Sequence, residues 1–387
     1  MQIIGLAFEE LCGKTHDKEL TMFRIEMLPA LEGDCLWIEY GDADSPRRMV
    51  IDAGRKESYR ALADRLAELS DPVELFVMTH IDDDHIFGAV PLFGDGRIDK
   101  STFKDVWYNG YTHLDPEFAH RPAPDKLGAV TGEIFAALLQ KHSYPWNEWF
   151  DKGATIVVPE TGKLPSIELD GDMKLTLLSP SWDSLTALKR FWEKELEDID
   201  GLEPGDAEAA LEIFGERAAL QPDVLGGMLD VDDLIERPFE KDTKEPNGSS
   251  IAFLAEHGGH AVLFTGDAHP PVLEQSITRL LQERGKNVLH LDAVKVSHHG
   301  SRKNTSPKLL KLLDCRRFLI STNGSRHEHP DKEAIARIVH RYHQNNEPTE
   351  LYFNYASKYN QVWDDDDLRD EWNYRTHYPP QGTRIDL

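Results

Sequence analysis

Four residues of metal-ligand type, His80, Asp82, Asp84 and His85, crowd one short segment, THIDDDHIFG. Imidazole and carboxylate groups held this close repel or desolvate one another unless a cation compensates them. Neutral imidazole with carboxylate is the ligand set that suits zinc, manganese or iron. The alternative is an acidic surface turn with incidental histidines. Three further segments argue against it, because each places similar residues at the end of an apolar run: FTGDAH with Asp267, VKVSHHGS with His298 and His299, and TNGSRHEHP with His327 and His329. An isolated His-His pair is more often structural, but ligands gathered from separate strand ends make a site, where a bound divalent ion would activate water.

The elements that must carry these segments read mainly as β-strands. FRIEML, CLWIEYG and RMVIDAG, between Met22 and Gly54, form three short strands separated by the turn-rich LEGD and GDADSPRR. From Lys56 to Leu69, apolar residues recur at helical spacing (Tyr59, Leu62, Leu66, Leu69) and stop before Asp71-Pro72. The strand ELFVMT then delivers His80 to His85 at its C-terminal end, where open sheets commonly place their chemistry. Further strands are expected at TIVVP, LTLLSP, SIAFLAEH, AVLFTGD, AVKVSHHGS and RRFLIST, with a hairpin turn at Gly258-Gly259 and helices near Pro271 to Glu283 and Ser306 to Leu313. Two stretches break this alternation. Residues 111–153, rich in aromatics, are expected to form a helical insertion or lid, and residues 182–245, acidic around PGDAEAALEIFGERAAL, a peripheral helical one. With no internal repeat and no long low-complexity linker, residues 1–387 are expected to form a single domain.

Composition fits a folded chain: 40% of residues are hydrophobic and 29% charged. No apolar run approaches the roughly 18 residues that a membrane span needs, and the opening lacks a basic n-region, so a cytoplasmic location without a membrane partner is expected. Cys12, Cys35 and Cys315 are widely spaced and odd in number, which reads as free thiols. A net charge of -26 works against non-specific binding to phosphate backbones, so a nucleic-acid substrate would need metals or a local basic patch. The acidic run Asp364 to Asp367 reads as a solvated turn.

Taken in order, THxDxDHxxG, GD after an apolar strand, SHHGS and HP resemble the metallo-β-lactamase superfamily. Within it the chain is most similar to the ComEC-type branch, named for the hydrolase domain of the competence DNA-uptake channel. That branch carries aspartate where the usual HxHxDH has its second histidine, the position of Asp82. The likeness extends to LPALEGDCLWIEYG, MVIDAG and NGSSIAFLAEHGGHAVLFTGDA and spans about Phe23 to Phe353 outside the insertions. It implies an α+β fold, the αββα sandwich in which two central mixed sheets are flanked by helices, and a cofactor of two divalent metal ions, zinc or manganese. By that resemblance His80 and Asp82 would hold one ion, Asp84 and His85 the second, and Asp267 would bridge them. His299 would complete the second site. His298 is a candidate ligand too, or would face the substrate, since adjacent residues in an extended segment point in opposite directions. The chain departs from the family where Asn247-Gly248-Ser249-Ser250 stands in place of a third histidine, where Phe87-Gly88 replaces GG, and where Leu31-Glu32-Gly33-Asp34 puts a carboxylate near the substrate's path.

The same resemblance implies a metal-dependent phosphodiesterase, acting as a nuclease on DNA or RNA or on a small phosphodiester. Asp84 would orient the water as well as ligate, and Ser301, Asn323, His298 and His329 are candidates to contact substrate oxygens or protonate the leaving group. For Ser301 and Asn323, turn hydrogen bonding beside Gly300 and Gly324 is the alternative. His113, His120, His142 and His269 lack a partner motif and read as surface or core residues. Two other functions remain open: a hydrolase of a small carboxylic or phosphoric ester, and a non-catalytic metal-binding module whose insertions engage a protein partner. Arg55, Lys56, Arg302, Lys303 and Arg326 clustered at the metal mouth would favour a phosphodiester, whereas an apolar pocket closed by Trp107, Tyr108 and Trp146 would favour a small ester.

Overall fold

The computed structural model describes residues 21–114, 130–197 and 229–387. Two mixed sheets dominate them. The first contains β1 (Thr21–Met27), β2 (Leu36–Asp42), β3 (Ser45–Ile51), β4 (Leu75–Val77) and β5 (Val106–Trp107). The second begins with β6 (Ser166–Leu169), β7 (Met173–Ser179), β8 (Ala252–His257) and β9 (His260–Phe264). It continues, beyond the short β10 (Leu289–Leu291), with β11 (Ala293–Lys295) and, beyond β12 (Leu313–Cys315), with β13 (Arg317–Ile320), β14 (Thr349–Phe353) and β15 (Tyr374–His377). β16 (Arg384–Asp386) returns to the first sheet, giving the orders β16-β1-β2-β3-β4-β5 and β15-β14-β13-β11-β9-β8-β7-β6, while β10 and β12 pair separately.

Alternation along the strands divides the core into layers. Met49 and Ile51 of β3, with Leu75 and Val77 of β4, join Phe253, Val262, Phe264 and Leu319 of the second sheet in one buried cluster. The intervening Val50 and Phe76 point the other way, towards Leu62, Phe93, Phe135 and Trp192 on helices. Each such side chain contributes about 1.5–3 kcal/mol by leaving water. On the far side the helices Pro270–Arg284, Pro307–Leu312 and Lys332–Tyr342 bury Leu273, Ile277, Leu309, Ile335 and Ile338 against the second sheet. The result is the αββα sandwich expected from the sequence.

Most expected elements form at or near their expected positions, including the β8–β9 hairpin, where Gly258 and Gly259 both take positive φ. TIVVP does not form a strand, apart from one bridge between Val158 and Ser181. Its backbone is satisfied instead by a side-chain amide: Ile156 N donates to Asn109 Oδ1, and Asn109 Nδ2 donates to Ile156 O. VKVSHHGS is strand only to Lys295, after which Ser297–Gly300 turns. Asp365 of the acidic run caps the helix Asp366–Glu371 by accepting from Leu368 N.

Both insertions contribute to the core. The helix Val130–Lys141 buries Phe135, Leu138 and Leu139, and Trp182–Glu197 buries Leu185, Leu188 and Trp192, all against the outer face of the first sheet. Among the described residues these two helices are part of the core rather than a lid or a peripheral addition, because that apolar face needs a cover. PGDAEAALEIFGERAAL, Cys12 and His120 lie outside the described residues, whereas Cys35 and Cys315 are buried free thiols. Among the described residues no helix is long and apolar enough to cross a membrane.

Candidate metal centre

Strand direction brings the candidate ligands to one edge of the sandwich. β3 and β4 run parallel, so Asp52 and the loop His80–His85 leave the same edge of the first sheet; β2 is antiparallel to β3, so Asp34, just before it, arrives there too. In the second sheet β9, β11 and β13 are parallel, which places Asp267, His298–His299 and His329 together. β8 is antiparallel to β9, so the segment just before it, around Asn247, reaches this edge as well. Ile251 N donates to Thr79 O at 2.9 Å and joins the two sheets at the site.

Four imidazoles converge on the Asp267 carboxylate. His80 Nε2 and His298 Nε2 each lie 3.7 Å from Oδ2, His299 Nε2 lies 3.8 Å from Oδ2, and His85 Nε2 lies 3.5 Å from Oδ1. Asp84 Oδ2 stands 3.3 Å from His299 Nε2, and Asp82 Oδ2 4.0 Å from His80 Nε2. His298 and His299 are not extended: φ is 48° at the first and 55° at the second. In this left-handed turn the alternation expected of a strand does not apply, and both rings face Asp267.

Each ring is fixed from behind through Nδ1, the arrangement that sets the tautomer of metal-binding histidines. Asp52 Oδ2 accepts from His85 Nδ1 and from Thr79 Oγ1, both at 2.7 Å. Thr79 Oγ1, its hydrogen committed to Asp52, accepts from His80 Nδ1 at 3.0 Å. His299 Nδ1 donates to Ser321 O at 2.9 Å, and His298 Nδ1 to Asn304 Oδ1 at 3.0 Å. All four Nε2 atoms are thereby left facing the carboxylate.

Charge in the cluster is strongly interdependent. Although burial alone would raise them, Asp84 and Asp267 are held well below the usual carboxylate range by the surrounding histidines. Against burial, Asp267 with Asp52 holds His85 well above its ordinary value, and Asp267 with Asp34 pushes His299 up to about 10. Burial and the neighbouring His85 push His80 down to about 3, while burial and Asp84 push Asp82 up to about 7. His80 Nε2 and Asp267 Oδ1 are buried without a hydrogen bond. His80, His85 and Asp267 each offer a ligand atom within 4.8 Å of the others, so cations fit this donor set in place of the protons. Asp34, His85 and His299 form a second such group, but Asp34 is paired with Lys295 at 2.6 Å and lies on the Nδ1 side of His299, 3.5 Å away.

The remaining candidates are placed less centrally. His329 is buried with its ring 5.3 Å from that of His298 and Asp331 at 3.7 Å. Ser301 Oγ accepts from Lys303 N, and Asn323 Oδ1 accepts from Ser325 N, so both make turn hydrogen bonds. Arg55 pairs with Glu32 at 2.7 Å and with Asp83 at 3.6 Å, and Arg302 turns to Glu333 at 3.4 Å. The charges of Arg326 and Lys244 act on Asp83 and Asp82 respectively. Trp107 and Tyr108 belong to the core, and Trp146 donates to Tyr108 O, so the trio does not wall an apolar substrate pocket. His113 is buried and His142 exposed, as expected. His269 has company that the sequence did not suggest, 4.0 Å from Asp242. Asp52, Lys295 and Asp242 also line the centre, beyond the residues expected from the sequence. Asp52 lies in the quoted MVIDAG, so a motif signal existed; Asp242, an isolated residue in an acidic stretch, gave none.

No family model matches the chain. It is 25% identical over 232 residues to ComE operon protein 3 of Bacillus subtilis (strain 168), an alignment that takes in 57% of this chain and 29% of that protein. The chain thus spans under a third of that relative. Among solved structures it is similar to the metallo-beta-lactamase fold protein YhfI from Bacillus subtilis, with 9% identity, a TM-score of 0.40 and coverage of 95% of this chain and 100% of that one. It is also similar to Zn(2+)-bound PqqB from Methylobacterium extorquens, with 12% identity, a TM-score of 0.41 and coverage of 94% and 100%.

Proposed function

We propose that this chain is a metal-dependent phosphodiesterase of the ComEC type, with a nucleic acid or a smaller phosphodiester as substrate. The observation that carries the metal-dependent part is the convergence of four Nδ1-anchored imidazoles on the Asp267 carboxylate. His80, Asp82 and His298 would hold one divalent ion, zinc or manganese, and Asp84, His85 and His299 the other, with Asp267 available to both. When bound, the ions supply a hydroxide nucleophile at neutral pH and polarise the oxygen of the group it attacks.

The chain's own residues orient and protonate. Asp84, its side chain 14% exposed at the mouth, accepts a hydrogen bond from the attacking water and aims it. His329, backed by Asp331, donates a proton to the leaving oxygen. Lys244 and Arg326 meet the substrate's negative charge at the mouth. The phosphodiester assignment draws support from the ComEC-type motif order and from the likeness to ComE operon protein 3. The pairing of Arg55 with Glu32 and Asp83 favours a second reading, a small ester, because it leaves less positive charge for a long polyanion.

The test is elemental analysis paired with hydrolysis of bis(p-nitrophenyl) phosphate, single-stranded DNA and p-nitrophenyl carboxylic esters, each with added manganese or zinc. Two metals per chain and phosphodiester cleavage lost in Asp84→Ala would support the proposal. Metals with cleavage of carboxylic esters alone would transfer the assignment to the second reading. A metal-free, inactive protein would leave a partner-binding module.

A further inference from the structure

The second insertion ends beside the metal centre, and from this placement we infer that Asp242 is a positioning residue for His298. The inference rests on the metal-centre reading above. Asp242 is 5% exposed, and its Oδ2 lies 3.3 Å from His298 Nδ1. The same oxygen accepts from Asn247 Nδ2 at 2.6 Å and from Asn304 Nδ2 at 3.1 Å, while Oδ1 accepts from Lys244 N at 3.1 Å. Asn304 in turn offers Oδ1 to His298 Nδ1 at 3.0 Å and donates through Nδ2 to the backbone carbonyl of Asp267 at 3.0 Å.

This network determines where the imidazole hydrogen sits. The two acceptors nearest His298 Nδ1 are the Asp242 carboxylate and the Asn304 carbonyl, so Nδ1 carries the hydrogen and Nε2 presents its lone pair 3.7 Å from Asp267 Oδ2. Asn247 Nδ2, 3.2 Å from His298 Nδ1, is a donor with two hydrogens, one of which goes to Asp242 at the shorter distance of 2.6 Å. The ring also needs holding. His298 and His299 occupy consecutive left-handed conformations, which are strained for non-glycine residues, so outside contacts must fix the turn. His298 N to Gly266 O at 3.1 Å fixes the backbone, and Asp242 with Asn304 fixes the side chain. The Asn247 amide in turn orders the Asp242 carboxylate that faces His298.

The decisive experiment is a double-mutant cycle on zinc affinity, measured by chelator competition on the full chain for wild type, Asp242→Asn, His298→Ala and the double variant. Cobalt(II) absorption and urea unfolding are recorded on each. Asp242→Asn is expected to weaken one of two ions about 10- to 100-fold and alter the cobalt spectrum, with no further loss in the His298→Ala background. Additive losses in the double variant, or unchanged affinity in Asp242→Asn while wild type holds two ions, would overturn the inference. A wild-type chain that binds no zinc would instead remove the metal-centre reading itself, and this inference with it. Asp242→Ser carries the same expectation should Asp242→Asn not fold.

Discussion

Lys295 Nζ lies 2.6 Å from Asp34 Oδ2, and the two side chains are 1% and 2% exposed. Lys295 ends β11 in the second sheet and Asp34 precedes β2 in the first, so the pair ties the sheets together directly behind His299. Burial would push the Asp34 carboxyl up, but Lys295 and His299 more than offset it and hold it below its ordinary range.

Removing Lys295 leaves a buried carboxylate uncompensated. Lys295→Met is expected to lose about 3–5 kcal/mol of unfolding free energy, as one-sided breaks of buried pairs do. Lys295→Met combined with Asp34→Leu should recover much of that loss. Urea denaturation at neutral pH measures both, and a double variant no more stable than the single one would contradict this account.

Gly33 owes its identity to a close approach. A Cβ there would sit 1.6 Å from Asp84 O and 2.9 Å from Asp84 Cβ. Gly33→Ala should fold with a loss of about 1–3 kcal/mol and displace Asp84, so kcat should fall more than KM rises. Unchanged steady-state kinetics would show that the loop does not set Asp84.

One carboxylate, Asp52, sets two tautomers, that of His85 directly and that of His80 through Thr79. Asp52→Asn can accept but can also donate, which breaks this one-way ordering. Affinity for both ions should drop about 10- to 100-fold, in contrast to the loss at one ion expected for Asp242→Asn. Competition titration with two chelators of different strength separates the two patterns.

His113 predicts a pH dependence away from the metals. Burial pushes its imidazole down to about 4 from an ordinary value of 6.5. The unfolded chain therefore takes up a proton that the folded chain refuses, and the stability present above pH 6.5 is lost as pH falls towards 4. The lost contribution reaches about 3 kcal/mol at most. Unfolding free energies between pH 7 and 4.5 should fall less steeply in His113→Gln, and identical slopes in the two proteins would exclude His113 as the cause.

The strands and their ligand loops were legible because their signals are local: an apolar run ending in His, Asp or Gly-Asp needs no distant information. TIVVP gave the same local signal and failed as a strand, because Asn109 satisfies its backbone from elsewhere in the chain. The insertions read as helical, the first aromatic-rich and the second acidic, yet nothing local revealed that the outer face of the first sheet needs Phe135 and Trp192 as its cover. Arg55 and Arg302, whose clustering at the metal mouth would favour a phosphodiester, face Glu32 and Glu333, and the sequence does not tell which partner each will find.

By itself the sequence determined which residue types could bind metal and that each follows an apolar strand, since composition and periodicity are written within a few neighbouring positions. Tertiary structure alone decided the rest. Strand direction selected the common edge on which Asp34, Asp52, His85, Asp242, Asp267 and His298 meet. A left-handed turn aimed both His298 and His299 at one carboxylate, and Asp52 and Ser321, remote in the chain from His85 and His299, chose which nitrogen of those rings faces the site. Those are properties of distances between segments, and they come into being only when the two sheets close.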